Sequence, residues 1–201
     1  MLTFAHVSHS FARQHLFADL NMQFSAPRIQ LHGANGSGKT TLLLLAAGLL
    51  TPSSGQVLFE QQNVLQLTAK QQIGISASKI QLPEFMSAQA LLNFHCHQHQ
   101  CPVDAVLIDQ LALKPFLHTK IANLSLGNYK KLSLLTALLH QPRLLLLDEP
   151  FNGLDEASRQ VLLQLLDEYP GQVILASHEP IALQHAPLQQ IAIEQLKGMA
   201  T

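Results

Sequence analysis

Residues 33–40 read Gly33-Ala34-Asn35-Gly36-Ser37-Gly38-Lys39-Thr40: a glycine, four further residues, then glycine, lysine and a hydroxyl. This spacing fits a loop that cradles phosphates. Glycines let successive backbone N–H groups turn toward an anion, Lys39 adds a positive charge at the outer phosphates, and Thr40, followed by Thr41, offers a hydroxyl to magnesium. The pattern predicts a nucleoside triphosphate site. A second chemical cluster is Asp148-Glu149, which follows four consecutive leucines, Leu144 to Leu147. One acid there is suited to hold magnesium, directly or through water, and Glu149 to orient or deprotonate an attacking water.

The flanking residues describe the elements that must position these groups. Ile29-Gln30-Leu31 is a short apolar run suited to a buried strand, and Thr41 to Leu50 is a leucine-rich run of good helix formers. Strand, glycine loop and helix in that order set the phosphates at a helix N-terminus, where unpaired N–H groups and the dipole favour an anion. The leucines 144–147 describe a strand buried on both faces, and its carboxyl end is where open α/β sheets bind ligands.

Together these residues give the chain a resemblance to the ATP-binding subunits of ATP-binding cassette (ABC) transporters, and the resemblance runs along nearly the whole sequence. It implies an α/β P-loop fold of ABC type, a mixed β core carrying an inserted helical subdomain, with ATP and Mg2+ as ligands. Asn152-Gly153-Leu154-Asp155 is similar to the family's D-loop, which makes Asp155 a dimer-interface residue. Val173 to Ala176 is another apolar strand, and His178 beyond it resembles the switch histidine that contacts the γ-phosphate and the attacking water. Val7-Ser8-His9-Ser10-Phe11 is similar to the segment whose aromatic stacks on adenine; Phe11 fits that role, with Phe17 as the competing aromatic.

Two segments depart from the family pattern. Leu124-Ser125-Leu126-Gly127-Asn128 stands where the family has serine, glycine, glycine and glutamine, a turn presented to the γ-phosphate held by the partner. Ser125 and Gly127 keep the hydroxyl and the flexible backbone at a helix start, while Leu126 and Asn128 are replacements; the plainer reading is an ordinary helix cap. Ser78 falls where a magnesium-contacting glutamine is expected, so a bridging water or Gln81 would have to substitute, and slow turnover is anticipated.

His95-Cys96-His97-Gln98-His99-Gln100-Cys101 belongs to an expected helix that Pro102 ends. His95 and His99 share a helix face, and with Cys96 beside them they could hold zinc or copper; in a chain with 11 histidines, a polar surface helix is the more economical reading.

At 201 residues the chain suggests one domain, with residues 1–75 and 128–201 as catalytic core and 76–127 as helical subdomain. Charged residues make up 12% and net charge is −1, which argues against nucleic acid as a partner. Aromatics are only 5% and tryptophan is absent, as in helices packed around strands. Cys96 and Cys101 lie too close together to suggest a disulfide framework, no apolar run approaches the roughly 20 residues of a membrane span, and no export signal opens the chain. These features place the protein in the cytosol. The resemblance places it peripherally on the inner (plasma) membrane, partnered by a polytopic permease and a second ATPase subunit, identical or related. The short stretch after His178 is most similar to short exporter ATPases such as that of the haem exporter in cytochrome c maturation. A weakly hydrolysing regulatory or binding module is the alternative.

Overall fold

Alternating apolar residues near the N-terminus form two long strands, β1 (Leu2–Phe11) and β2 (Gln14–Phe24), paired antiparallel with register shifts between Phe4 and Ser10. The computed structural model describes residues 1–11 and 14–197, and of Phe11 and Gln14 only the backbone. Strand β3 (Arg28–His32) leads into the glycine loop and helix α1 (Lys39–Ala46), followed by β4 (Ser54–Phe59), β5 (Gln62–Asn63), the short α2 (Leu67–Lys70) and β6 (Ile73–Ser76). Next come α3 (Ala88–His99), α4 (Ala105–Gln110), two 3-10 turns and α5 (Leu126–Leu138). The chain closes with β7 (Leu144–Asp148), α6 (Glu156–Glu168), β8 (Gln172–Ala176), β9 (Leu188–Ala192) and a 3-10 turn over Ile193–Leu196.

Two sheets result. One is antiparallel, ordered β2-β1-β4-β5; the other is parallel, ordered β6-β7-β8-β3-β9. Strand β7 shows why four leucines in a row were needed. Leu144 and Leu146 join the core formed with the antiparallel sheet and α1, whereas Leu145 and Leu147 join the core formed with α5 and α6. The period-2 alternation of a strand thus sends successive leucines to opposite layers.

Helix α1 is shorter than the run Thr41 to Leu50 suggested. It ends at Ala46 because Gly48 takes a left-handed φ of 64°, and a Cβ there would stand 2.1 Å from the Val64 carbonyl oxygen. Helix α3 stops at His99, with Gln100 left-handed at φ 53°, so the turn begins two residues before Pro102. Four helices begin on side-chain caps: Ser87, Asp104, Ser125 and Asp155 accept from the backbone N–H groups of Ala90, Leu107, Asn128 and Ser158. No helix among the described residues is long and apolar enough to cross a membrane.

Candidate active site

The parallel sheet brings the carboxyl ends of β3 and β7 side by side, with β8 between them. The loop leaving β3 turns at Gly38, whose φ of 109° is open to glycine alone, and α1 starts at the next residue. Leu42 N–H donates to the Gly38 carbonyl at 2.9 Å as the first helical bond, so the amides ahead of it have no acceptor within the helix. Lys39 Nζ folds back over the loop and donates to the carbonyls of Gly33 at 2.7 Å and Ala34 at 3.1 Å. Ser37 Oγ is buried with no hydrogen-bond partner among the described residues, an unmet polar atom inside the anion-binding loop.

From β7, Asp148 meets this loop. Its Oδ2 accepts from Thr40 Oγ1 at 2.9 Å and from Ser78 Oγ at 3.1 Å. Three hard oxygens therefore converge, the donor set that suits magnesium with water and phosphate oxygens completing its shell. Serine at 78 already reaches Asp148, so neither Gln81 nor a bridging water is required for that contact. Glu149 follows with a left-handed φ of 46°, its N–H bonded to the Ala176 carbonyl at 2.8 Å. Its Oε2 lies 2.9 Å from His178 Nδ1. His178 is held from behind: Ser177 Oγ and the Glu179 backbone exchange two bonds of 3.1 Å, and the Glu179 carbonyl accepts from Gln30 Nε2 at 2.6 Å.

Beside these groups lies a cleft of about 400 Å3, lined by Leu16, residues 35–41, Ser78, Lys79, Asp148 and Glu149, a volume in the range of small-molecule sites; Gly33, Ala34 and His178 are not among its lining residues. Three participants were not singled out from the sequence: Leu16, Lys79 and Lys130. Leu16 supplies an apolar wall beside Gly38, and Lys130 donates to the Asp148 carbonyl at 3.0 Å. Burial pulls the Lys130 pKa down while Asp148 and Glu149 pull it up. Lys130 escapes a reading of spacing because only the seating of α5 against β7 brings its ammonium to the acids.

The adenine-stacking assignment of Phe11 lies outside the described residues. Its competitor Phe17 is fully buried in the core and has no face open to a base. Ser125, Leu126, Gly127 and Asn128 are not among the residues lining the cleft. Ser125 Oγ accepts from Asn128 N–H as the cap of α5, and Leu126 is 79% exposed. This turn lies against the loop before α6: a Cβ on Gly127 would stand 3.0 Å from the Gly153 carbonyl. Asp155 caps α6 and pairs with the buried Lys131, and that hydrogen bond, followed by those from Ser158, holds its pKa below the usual carboxylate range.

The set of groups considered as metal ligands around His95 changes. Cys96 is buried with Sγ directed to the Pro102 carbonyl at 3.6 Å, and burial, with Cys101 beside it, pushes its thiol up to about 11. His140, 41 residues beyond His99, takes its place beside His95 and His99.

A glycine loop at a helix N-terminus, facing an acid pair at the end of another strand of the same parallel sheet, defines a P-loop nucleotide-binding protein. Residues 17–152 match the family described as ABC transporter. The zinc import ATP-binding protein ZnuC of Psychrobacter arcticus is 32% identical over 89% of this chain and 74% of its own length. The cytochrome c biogenesis ATP-binding export protein CcmA of Legionella pneumophila is 30% identical over 81% of this chain and 84% of its own. Among solved structures, a dimeric bacterial ABC transporter cassette superposes with a TM-score of 0.79 at 18% identity, covering 96% of this chain and 95% of that one. The chain belongs to the ABC transporter family as an ATP-binding subunit, and its reaction is the hydrolysis of ATP.

Proposed function

We propose that the cleft, with residues 33–41, Ser78, Asp148, Glu149 and His178 in or beside it, is the ATP site, and that the chain drives a bacterial exporter by ATP-dependent pairing with a second cassette. The observation that carries this reading is the 2.9 Å contact of His178 with Glu149, a residue that lines the same cleft as the Thr40–Asp148 pair, itself at 2.9 Å. Backbone N–H groups of the loop and Lys39 hold the phosphates, with Lys39 leaving the carbonyls of Gly33 and Ala34. Thr40 and Asp148, with Ser78 beside them, are the residues that would hold magnesium, which neutralises phosphate charge when bound. Glu149 accepts the proton of the attacking water, and His178 orients that carboxylate and faces the γ-phosphate.

Because the Ser125 turn is not part of the chain's own cleft, it is free to close over the cleft of a partner. Asp155 and Gly153 adjoin it and complete that face. A polytopic permease on the membrane receives the resulting motion, which makes the subunit peripheral to the cytosolic face. Export is the direction of the cytochrome c biogenesis relative, 30% identical over 81% of this chain. Import, named for the zinc relatives, is the alternative that a vesicle transport assay with the neighbouring permease separates.

The test of the site is Glu149→Gln. It should keep ATP binding, lower phosphate release by about 10²–10³-fold, and accumulate an ATP-bound dimer visible by light scattering. Normal turnover in that variant would remove Glu149 from its role. A wild type that binds ATP without releasing phosphate, even with its permease, would favour the regulatory module instead.

A further inference from the structure

Away from the nucleotide cleft, three histidines meet where the helices between β6 and β7 rejoin the parallel sheet. His95 and His99 lie one turn apart on α3; His140 lies two residues past the end of α5. The His95 Nε2 and His140 Nδ1 atoms are 3.0 Å apart. The His99 ring stacks on His140 at 4.0 Å between centroids and on His95 at 4.5 Å, with interplanar angles of 28° and 29°. One ligand nitrogen from each ring lies within 4.8 Å of the others.

This arrangement is costly as mere packing. Neutral imidazoles each carry one N–H and one lone pair; His140 bonds His95 and the Ile73 backbone, yet its Nε2 is buried with no hydrogen-bond partner among the described residues. Protonating any ring would set cations against one another. Burial, aided by His99, lowers the pKa of His95 to about 4, and burial with His99 and His95 lowers that of His140 to about 3.

We propose that His95, His99 and His140 form a binding site for a divalent transition-metal ion of the zinc class, which clamps α3 to the end of α5. Imidazole nitrogens are the preferred donors of that class, and bonds of 2.0–2.1 Å at tetrahedral angles need nitrogens about 3.3 Å apart. One pair is already inside that spacing, and rotation of the rings about their side-chain torsions brings the third in. With Cys96 turned toward Pro102, the fourth position falls to water. The site stands at the opposite end of α5 from Ser125, about 20 Å away along a 13-residue helix. Bound metal would therefore fix the root of the helix whose tip carries the Ser125 turn.

The experiment is equilibrium dialysis of the untagged full chain against zinc at neutral pH, with cobalt as a spectroscopic probe. His99→Gln, His140→Gln and the double variant are the comparisons, and ATP binding to each serves as the check of folding. We expect one equivalent of zinc, affinity about tenfold or more weaker in each single variant, and visible cobalt bands that vanish in the double variant. Zinc should raise the melting temperature of the wild type and not that of the double variant. Failure to bind stoichiometric zinc, or equal binding by the wild type and the folded double variant, overturns the proposal, the second result assigning the ion to other histidines among the 11.

Discussion

At the scale of single residues, the departures from the family pattern carry more information than the matches. Ser78 is exposed at the edge of the cleft, and its hydroxyl donates to the same Asp148 oxygen that Thr40 uses, at 3.1 and 2.9 Å. Serine is shorter than glutamine, so a hydroxyl held on Asp148 can meet a cation only at that oxygen and cannot extend to the attacking water. Ser78→Gln restores reach, and one added contact in the transition state is worth about 1 kcal/mol, or roughly fivefold in rate. We expect steady-state ATP hydrolysis to rise by about that factor with little change in ATP affinity; an unchanged rate would show that serine at 78 does not limit turnover. Glu149 makes the complementary point. Its φ of 46° is uncommon for a side chain with a Cβ, and the bond from its N–H to Ala176 holds it there, so the conformation that aims the carboxylate at His178 is built in before any ligand arrives.

At the scale of elements, the strands were the most legible part of the sequence. Leu144 to Leu147 announced burial on both faces, and the structure divides them between two cores because a strand alternates sides. The glycine loop, Asp148, Glu149 and His178 were legible for the same reason: each sits at the end of a strand in one parallel sheet, so local pattern implies spatial convergence. What stayed hidden depends on how helices pack. Lys130 reaches Asp148 only once α5 is seated, and His140 joins His95 only once α3 lies beside α5. Spacing along the chain favoured Cys96, a near neighbour in sequence whose side chain points the other way.

Helix α6 offers a test of how such packing holds the switch region. Asp167 accepts from the backbone N–H groups of Ala186, His185 and Gln184 at 2.7–3.1 Å and from the His185 ring, anchoring the segment between His178 and β9. These bonds, that from Ala186 first, lower its pKa from 3.8 to about 2. A depressed carboxylate stabilises the fold above its unfolded value and loses that contribution as pH falls through its folded one. Asp167→Asn should therefore melt below the wild type at pH 7, with the gap closing between pH about 4 and about 2; a gap independent of pH would deny the carboxylate this role.

At the scale of the whole molecule, the proposed function makes one chain the carrier of two half sites. The phosphate loop lines a cleft open to solvent, while the Ser125 turn stands apart from it with Leu126 exposed beside Gly153 and Asp155. A two-fold axis satisfies both at once, since each copy then offers its loop to one nucleotide and its turn to the other. Two inactive variants can distinguish this arrangement from self-sufficient monomers. Lys39→Ala disables the loop, and Ser125→Arg places bulk and positive charge at the exposed turn without touching either core. Homodimers of each variant have no intact site. A mixed dimer has one, formed by the loop of the Ser125→Arg chain and the turn of the Lys39→Ala chain. Random mixing makes half the dimers mixed, so an equimolar mixture should recover about a quarter of wild-type hydrolysis. Recovery of that size would establish a homodimer with composite sites. A mixture no more active than its parts, with both variants folded and ATP still bound by Ser125→Arg, would mean that the chain meets a different cassette or that the Ser125 turn does not complete the site.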